Sequence, residues 1–88
     1  RAMKTGAAFV SCDAIDIQTG CYIANADEVG LLRQVVESTS YLVLLADHSK
    51  FNRTAAVTFA QNSNVCIITD RLPDERYRNI TVIKEVLK

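Results

Sequence analysis

Apolar positions along the chain change period several times, and each change marks an element. Ala7 to Cys12 form a short apolar run followed at once by Asp13-Ala14-Ile15-Asp16 and then Gly20, which reads as a buried strand entering a loop. From Ala26 the period becomes helical. Val29, Leu32 and Val36 recur at that spacing, Leu31 and Val35 widen the stripe, and Asp27, Glu28, Arg33, Gln34 and Glu37 are polar, so an amphipathic helix is predicted. Asn25 is its expected N-cap, with Glu28 three residues on as in a capping box, and Ser38-Thr39-Ser40 ends it. Tyr41 to Ala46 is apolar at every position, as a strand covered on both faces must be, and is expected to be a central parallel strand. Thr54 to Phe59 alternates with period two and reads as a half-buried strand, with a helix as the alternative. Val65 to Thr69 is a further apolar run ending at Asp70. Pro73 then opens a short helix with Asp74 and Glu75 in its first turn, and Ile80 to Ile83 closes the series as a strand.

Buried strands alternating with helices predict an α/β fold with a mostly parallel sheet and flanking helices. In such a sheet the carboxyl ends of the strands share one rim, and ligands bind in the crevice outside it. The three clearest strands each run into an acid there: Asp13 and Asp16 after the first, Asp47 after the second, Asp70 after the third.

With 88 residues, this is one domain or a piece of one. Ten basic against ten acidic side chains argue against a polyanion as the direct partner of this segment. No apolar run has the length of a membrane span, and the basic start Arg1-Ala2-Met3-Lys4 lacks the apolar stretch of a secretory signal, so a cytoplasmic location is expected. Cys12, Cys21 and Cys66 are odd in number and show no CxxC spacing; buried, reduced thiols are expected, and no metal site.

Asp47-His48-Ser49-Lys50-Phe51 carries the most chemistry. A lysine just beyond a central strand is a compact charge for a phosphate, Asp47 can accept from sugar hydroxyls or hold the ammonium, and Ser49 adds a donor. The plainer alternative has Asp47 bonding its own backbone in a turn, with Lys50 solvated. His48 has no identifiable partner in the sequence and reads as a solvent-facing loop residue. Asp13 and Asp16 are either a carboxylate pair for acid–base work or a hard cation, or simply loop caps. Glycine occurs only at positions 6, 20 and 30, so a glycine-rich phosphate cradle is not in this segment, and no cofactor is expected.

FVSCDAID, then Gly20, then Asn25 and Glu28 opening the helix, then LLADHSKF and finally IITD resemble the effector domain of the DeoR-type repressors of sugar operons, over about residues 7 to 85. The resemblance implies a fold shared with phosphosugar isomerases. It also implies a repressor, not an enzyme, in which residues 1–88 are the C-terminal half of a domain sensing a phosphorylated sugar. Operator DNA would be bound through an N-terminal winged helix-turn-helix absent from this chain. Carried over by position, Asp47 and Lys50 are the implied effector contacts, Ser49 assists them, Asp16 and Glu28 line the same crevice, and Gly20 and Asn25 shape it. Ser11 and Ala14 stand where the family has glycines, and Leu32 where it has a lysine, with Arg33 beside it. Self-association into a homo-oligomer is expected, because half a doubly wound domain leaves an edge and apolar faces uncovered. A fragment of a sugar-phosphate isomerase, with Asp16 or Asp47 as base, is the competing expectation.

Overall fold

The computed structural model describes residues 6–86. The chain runs β1 (Ala7–Ser11), β2 (Ala14–Asp16), β3 (Gly20–Ile23), α1 (Val29–Ser38), β4 (Tyr41–Leu45), β5 (Val57–Ala60), β6 (Val65–Thr69) and β7 (Val82–Glu85). β1, β4, β6 and β7 form one sheet in that spatial order, and every pairing in it is parallel. The α/β reading with a parallel sheet holds, and Tyr41–Leu45 is an internal strand of it, flanked by β1 and β6.

The segment expected to be loop after the first strand is instead a hairpin. β2 and β3 pair antiparallel with Ile15 opposite Cys21, and β5 joins β3 to complete a second, three-stranded antiparallel sheet. The turn between β2 and β3 makes this possible. The Asp16 carboxylate accepts the Gln18 and Thr19 amides at 3.0 and 2.9 Å and the Thr19 hydroxyl at 2.9 Å. Gly20 then adopts φ +106°, where a Cβ would overlap the Ala60 carbonyl oxygen of the neighbouring strand. The alternation in 54–59 thus marks a real strand, shifted to Val57–Ala60 and placed in this second sheet. The helix starts with a 3-10 turn, Ala26–Glu28, capped by Asn25, before α1 proper. The helix expected at Pro73 is a 3-10 segment, Glu75–Asn79, capped by Asp74, and the last strand begins at Val82, two residues later than expected.

The core lies between the two sheets and α1. Leu42 and Leu44 along β4, Ala46 just after it, and Val65 and Ile67 along β6 meet Ile15, Cys21, Ile23 and Phe59 of the second sheet, while α1 packs Val29, Leu32 and Val36 against them. Each such leucine or isoleucine taken out of water contributes about 1.5–3 kcal/mol. Alternate positions point the other way, and the register aligns Phe9, Val43, Cys66 and Val82 in one row across the outer face of the parallel sheet. On that face Phe9, Tyr41, Leu45 and Val82 remain 65, 53, 44 and 64% exposed. Among the described residues no helix is long and apolar enough to cross a membrane.

Candidate functional site

Parallel pairing puts the carboxyl ends of β1, β4 and β6 side by side, with Ser11 opposite Leu45 and Leu45 opposite Ile68. The next residues, Cys12-Asp13, Ala46-Asp47 and Asp70, therefore form one rim. At its centre, Asp47 caps the 3-10 turn His48–Lys50. One carboxylate oxygen, Oδ1, accepts the Ser49 amide at 2.8 Å and also the Ser49 hydroxyl. The hydroxyl and then the amide of Ser49 hold the Asp47 carboxyl below its usual range, with Lys50 adding to the effect. Its other oxygen receives no hydrogen bond from the described residues. Lys50 forms no ion pair among them either. Asp47 is thus both the turn-forming residue of the plainer alternative and an acceptor with one oxygen open.

The turn is fixed at both ends. On one side the Asp70 carboxylate accepts the His48 amide on Oδ1 and faces His48 Nδ1 with Oδ2, each at 2.8 Å. His48, read as a solvent-facing loop residue without a partner, is exposed as expected but does have a partner: its ring is clasped to Asp70 at the tip of the neighbouring strand β6. The His48 ring and amide hold the Asp70 carboxyl down at about 2. On the other side Phe51 is buried, packs edge-on to Tyr77 with ring centroids 5.0 Å apart, and forms a parallel bridge with Ile15. That bridge brings the Ala14–Asp16 strand alongside the residue after Lys50.

A groove of about 650 Å³ opens between the end of β1 and the start of α1, where Ser11, Cys12 and Asp13 face Glu28 and Leu31. Local bonds hold three of its lining residues: Asp13 accepts the Ala24 amide at 2.7 Å, Asn25 Oδ1 accepts the Asp27 amide at 3.0 Å, and the Asn25 side-chain amide donates to Glu28 at 3.3 Å. Burial first, and the neighbouring Asp13 second, push the Cys12 thiol up to about 12. Ser11 in the groove wall pairs with Leu45, so the groove lies beside the strand end that leads into the 47–50 turn.

The structure brings Asp47, Ser49 and Lys50 together on one turn and sets Glu28, held by Asn25, in the adjoining groove. Gly20 serves the β2–β3 turn instead and does not line the groove. Asp16 sits in that same turn; the Thr19 amide and hydroxyl and the Gln18 amide lower its pKa, all acting on Oδ2, while Lys50 is not among the causes. One rim residue was missed. Arg71, next to Asp70, is exposed and outside any ion pair among the described residues. The His48–Asp70 clasp was readable only as two polar residues just beyond two strands, since nothing but strand order makes those strands adjacent. Among the described residues no group of three or more His, Cys, Asp or Glu side chains is placed to hold a metal ion.

Residues 1–71 match the family described as the DeoR C terminal sensor domain. The chain is 39% identical over 51 residues, 58% of its length, to a protein of Escherichia coli (strain K12) named as an sgc region transcriptional regulator. It is 31% identical over 67 residues, 74% of its length, to one of Escherichia coli O157:H7 named as an aga operon transcriptional repressor. It is 35% identical over 63 residues, 70% of its length, to the HTH-type transcriptional regulator GlpR of Haloferax volcanii. The aligned parts make up 20, 25 and 25% of these relatives, so the chain spans about a quarter of their length or less. With the family match covering most of the chain and its strand tips carrying the DHSKF and ITD segments, this protein belongs to the DeoR C-terminal sensor domain family.

Proposed function

We propose that this chain is the phosphosugar-sensing part of a cytoplasmic transcriptional repressor of a sugar uptake or catabolism operon. Residues 1–88 are read as the C-terminal half of the sensor domain, with operator DNA bound by a domain outside this chain. The observation that carries the reading is Lys50: a cation without an ionic partner among the described residues, on a turn fixed at both ends, at the carboxyl rim of a parallel sheet. The membership of the family and the names of the relatives support it.

In this reading Lys50 meets the phosphate or an acidic array of hydroxyls. Asp47 offers its open oxygen to a sugar hydroxyl, Ser49 keeps that carboxylate ionised and aimed, and Glu28 faces the same ligand across the groove. Asn25 holds Glu28 in place through its side-chain amide, while Asp16 and Gly20 shape the β2–β3 turn. Binding favours one arrangement of the sensor, and the difference in binding energy alters how paired DNA-binding domains sit on the operator. The region senses without turnover.

The test is Lys50→Ala in the full-length protein, which is expected to abolish the response to sugar phosphate while leaving operator binding intact. If the variant still releases DNA at the sugar-phosphate concentration that works for the wild type, the assignment of Lys50 is wrong. Measurable aldose–ketose conversion by the wild type overturns the reading of a sensor without turnover.

A further inference from the structure

We propose that Asp70 is a positioning residue for the anion site, setting effector affinity from the neighbouring strand without touching the effector. The inference rests on the reading of the Asp47–Lys50 turn given above. Two bonds of 2.8 Å join Asp70 to His48, one to its amide and one to its ring. A carboxylate can only accept, so the ring nitrogen facing it, Nδ1, carries a proton. A two-point contact of this kind fixes both the backbone at the start of the turn and the rotamer of the histidine. Asp70 itself is anchored: it continues β6, Thr69 is buried, and the Thr69 hydroxyl is 3.3 Å from Asp70 Oδ1. Phe51 holds the far end of the turn against Tyr77. Lys50 therefore sits on a bridge whose near pier belongs to β6, and removing that pier frees the segment that carries the ammonium. A mobile ammonium must be ordered when an anion binds, and that cost appears as lost affinity.

The experiment titrates inorganic phosphate into the full-length protein by calorimetry, in the wild type and in Lys50→Ala, Asp70→Ala, His48→Asn and His48→Gln. Asparagine places an amide nitrogen where Nδ1 stands and glutamine where Nε2 stands, so they separate a histidine that faces Asp70 from one that faces the ligand. Expected are a loss of about tenfold for Asp70→Ala, the low end of what orienting partners contribute around a bound ion, an affinity within about twofold of wild type for His48→Asn, and a clear loss for His48→Gln. Selective ¹⁵N labelling of histidine adds a signature that a fold defect would not produce: the Nδ1–H tautomer in the wild type, and its replacement by Nε2–H in Asp70→Asn, whose amide donates to the ring.

Wild-type affinity in Asp70→Ala while Lys50→Ala is impaired overturns this inference and leaves the anion site standing. His48→Gln binding normally while His48→Asn fails also overturns it, since His48 would then meet the anion directly. No phosphate binding by the wild type, or none lost in Lys50→Ala, removes the anion site and this inference with it. Should Asp70→Ala fail to fold, the two histidine variants and the tautomer decide the question.

Discussion

The phenol oxygen of Tyr77 accepts the Asn52 backbone amide at 3.2 Å and lies 2.8 Å from Asn52 Oδ1, so a fully buried tyrosine fixes both the main chain and the side chain of one residue in the left-handed region, φ 59°. The same oxygen is 3.2 Å from the Ile15 carbonyl. One hydroxyl thus joins the segment after Lys50, the second sheet and the 3-10 segment Glu75–Asn79. Tyr77→Phe keeps the ring against Phe51 but leaves these groups short of a partner, and is expected to cost about 1–3 kcal/mol in a denaturant titration. An unchanged midpoint would show that water replaces the hydroxyl without penalty.

Gly20→Ala tests the turn that creates the second sheet. Its φ of +106° is foreign to alanine, and the new methyl would press on the Ala60 backbone rather than on a flexible side chain. The expected destabilisation is about 2 kcal/mol or more, read as a lowered melting temperature, and a fully stable variant would contradict the geometry.

That turn also shows where the sequence was legible and where it was not. The parallel strands announced themselves, because Leu42, Val43 and Leu44 or Val65, Cys66 and Ile67 are apolar in sequence and buried in space. The β2–β3 hairpin did not, because its strands are three and four residues long and its apolar members Ile15, Cys21 and Ile23 are interrupted by Asp16 and Tyr22. Tyr77 gave no signal at all: it lies among charged neighbours, yet becomes fully buried through a contact with Ile15, 62 positions away. At the site, their place just beyond an all-apolar strand singled out Lys50 and Asp47, but the partnership of His48 with Asp70 required knowing that β4 and β6 are adjacent.

The His48–Asp70 contact has a titration signature. The His48 ring first, then its amide, hold Asp70 at about 2 against an ordinary 3.8. A carboxyl depressed in the folded state adds stability that is complete above its unfolded pKa and disappears as pH falls through the folded one. This contribution is therefore present above about pH 4 and gone near pH 2. In His48→Ala the Asp70 carboxyl, followed by NMR, is expected to titrate closer to its ordinary value because the ring bond, the largest cause of the depression, is gone and only the weaker backbone bonds from residues 48 and 71 remain. An unmoved midpoint would assign the depression to something other than the ring.

Cys12 and Cys21 are 6 and 0% exposed, and burial pushes both thiols up to about 12. The thiolate is the reactive form, so at neutral pH neither is expected to react with an alkylating reagent in the folded protein, and both are expected to react on unfolding. Modification of either at the rate of free cysteine under native conditions would show that the core around Ile15 opens readily.

The 88-residue chain on its own is expected to self-associate. Among the described residues β1 ends the parallel sheet with one edge unpaired, and its sequence AAFVS contains neither charge nor proline, the features that blunt exposed edges. The outer face beside it presents Phe9, Tyr41, Leu45 and Val82 to solvent, and parallel sheets are stable when both faces are covered. Sedimentation should therefore give a mass that rises with concentration. Phe9→Lys places a charge on that edge at a position already exposed, so it should shift the mass toward the monomer with little change in stability. A wild-type chain that stays monomeric at every concentration would mean that the bare sheet face tolerates water, and that homo-oligomer formation by the intact protein has to rest on some other surface.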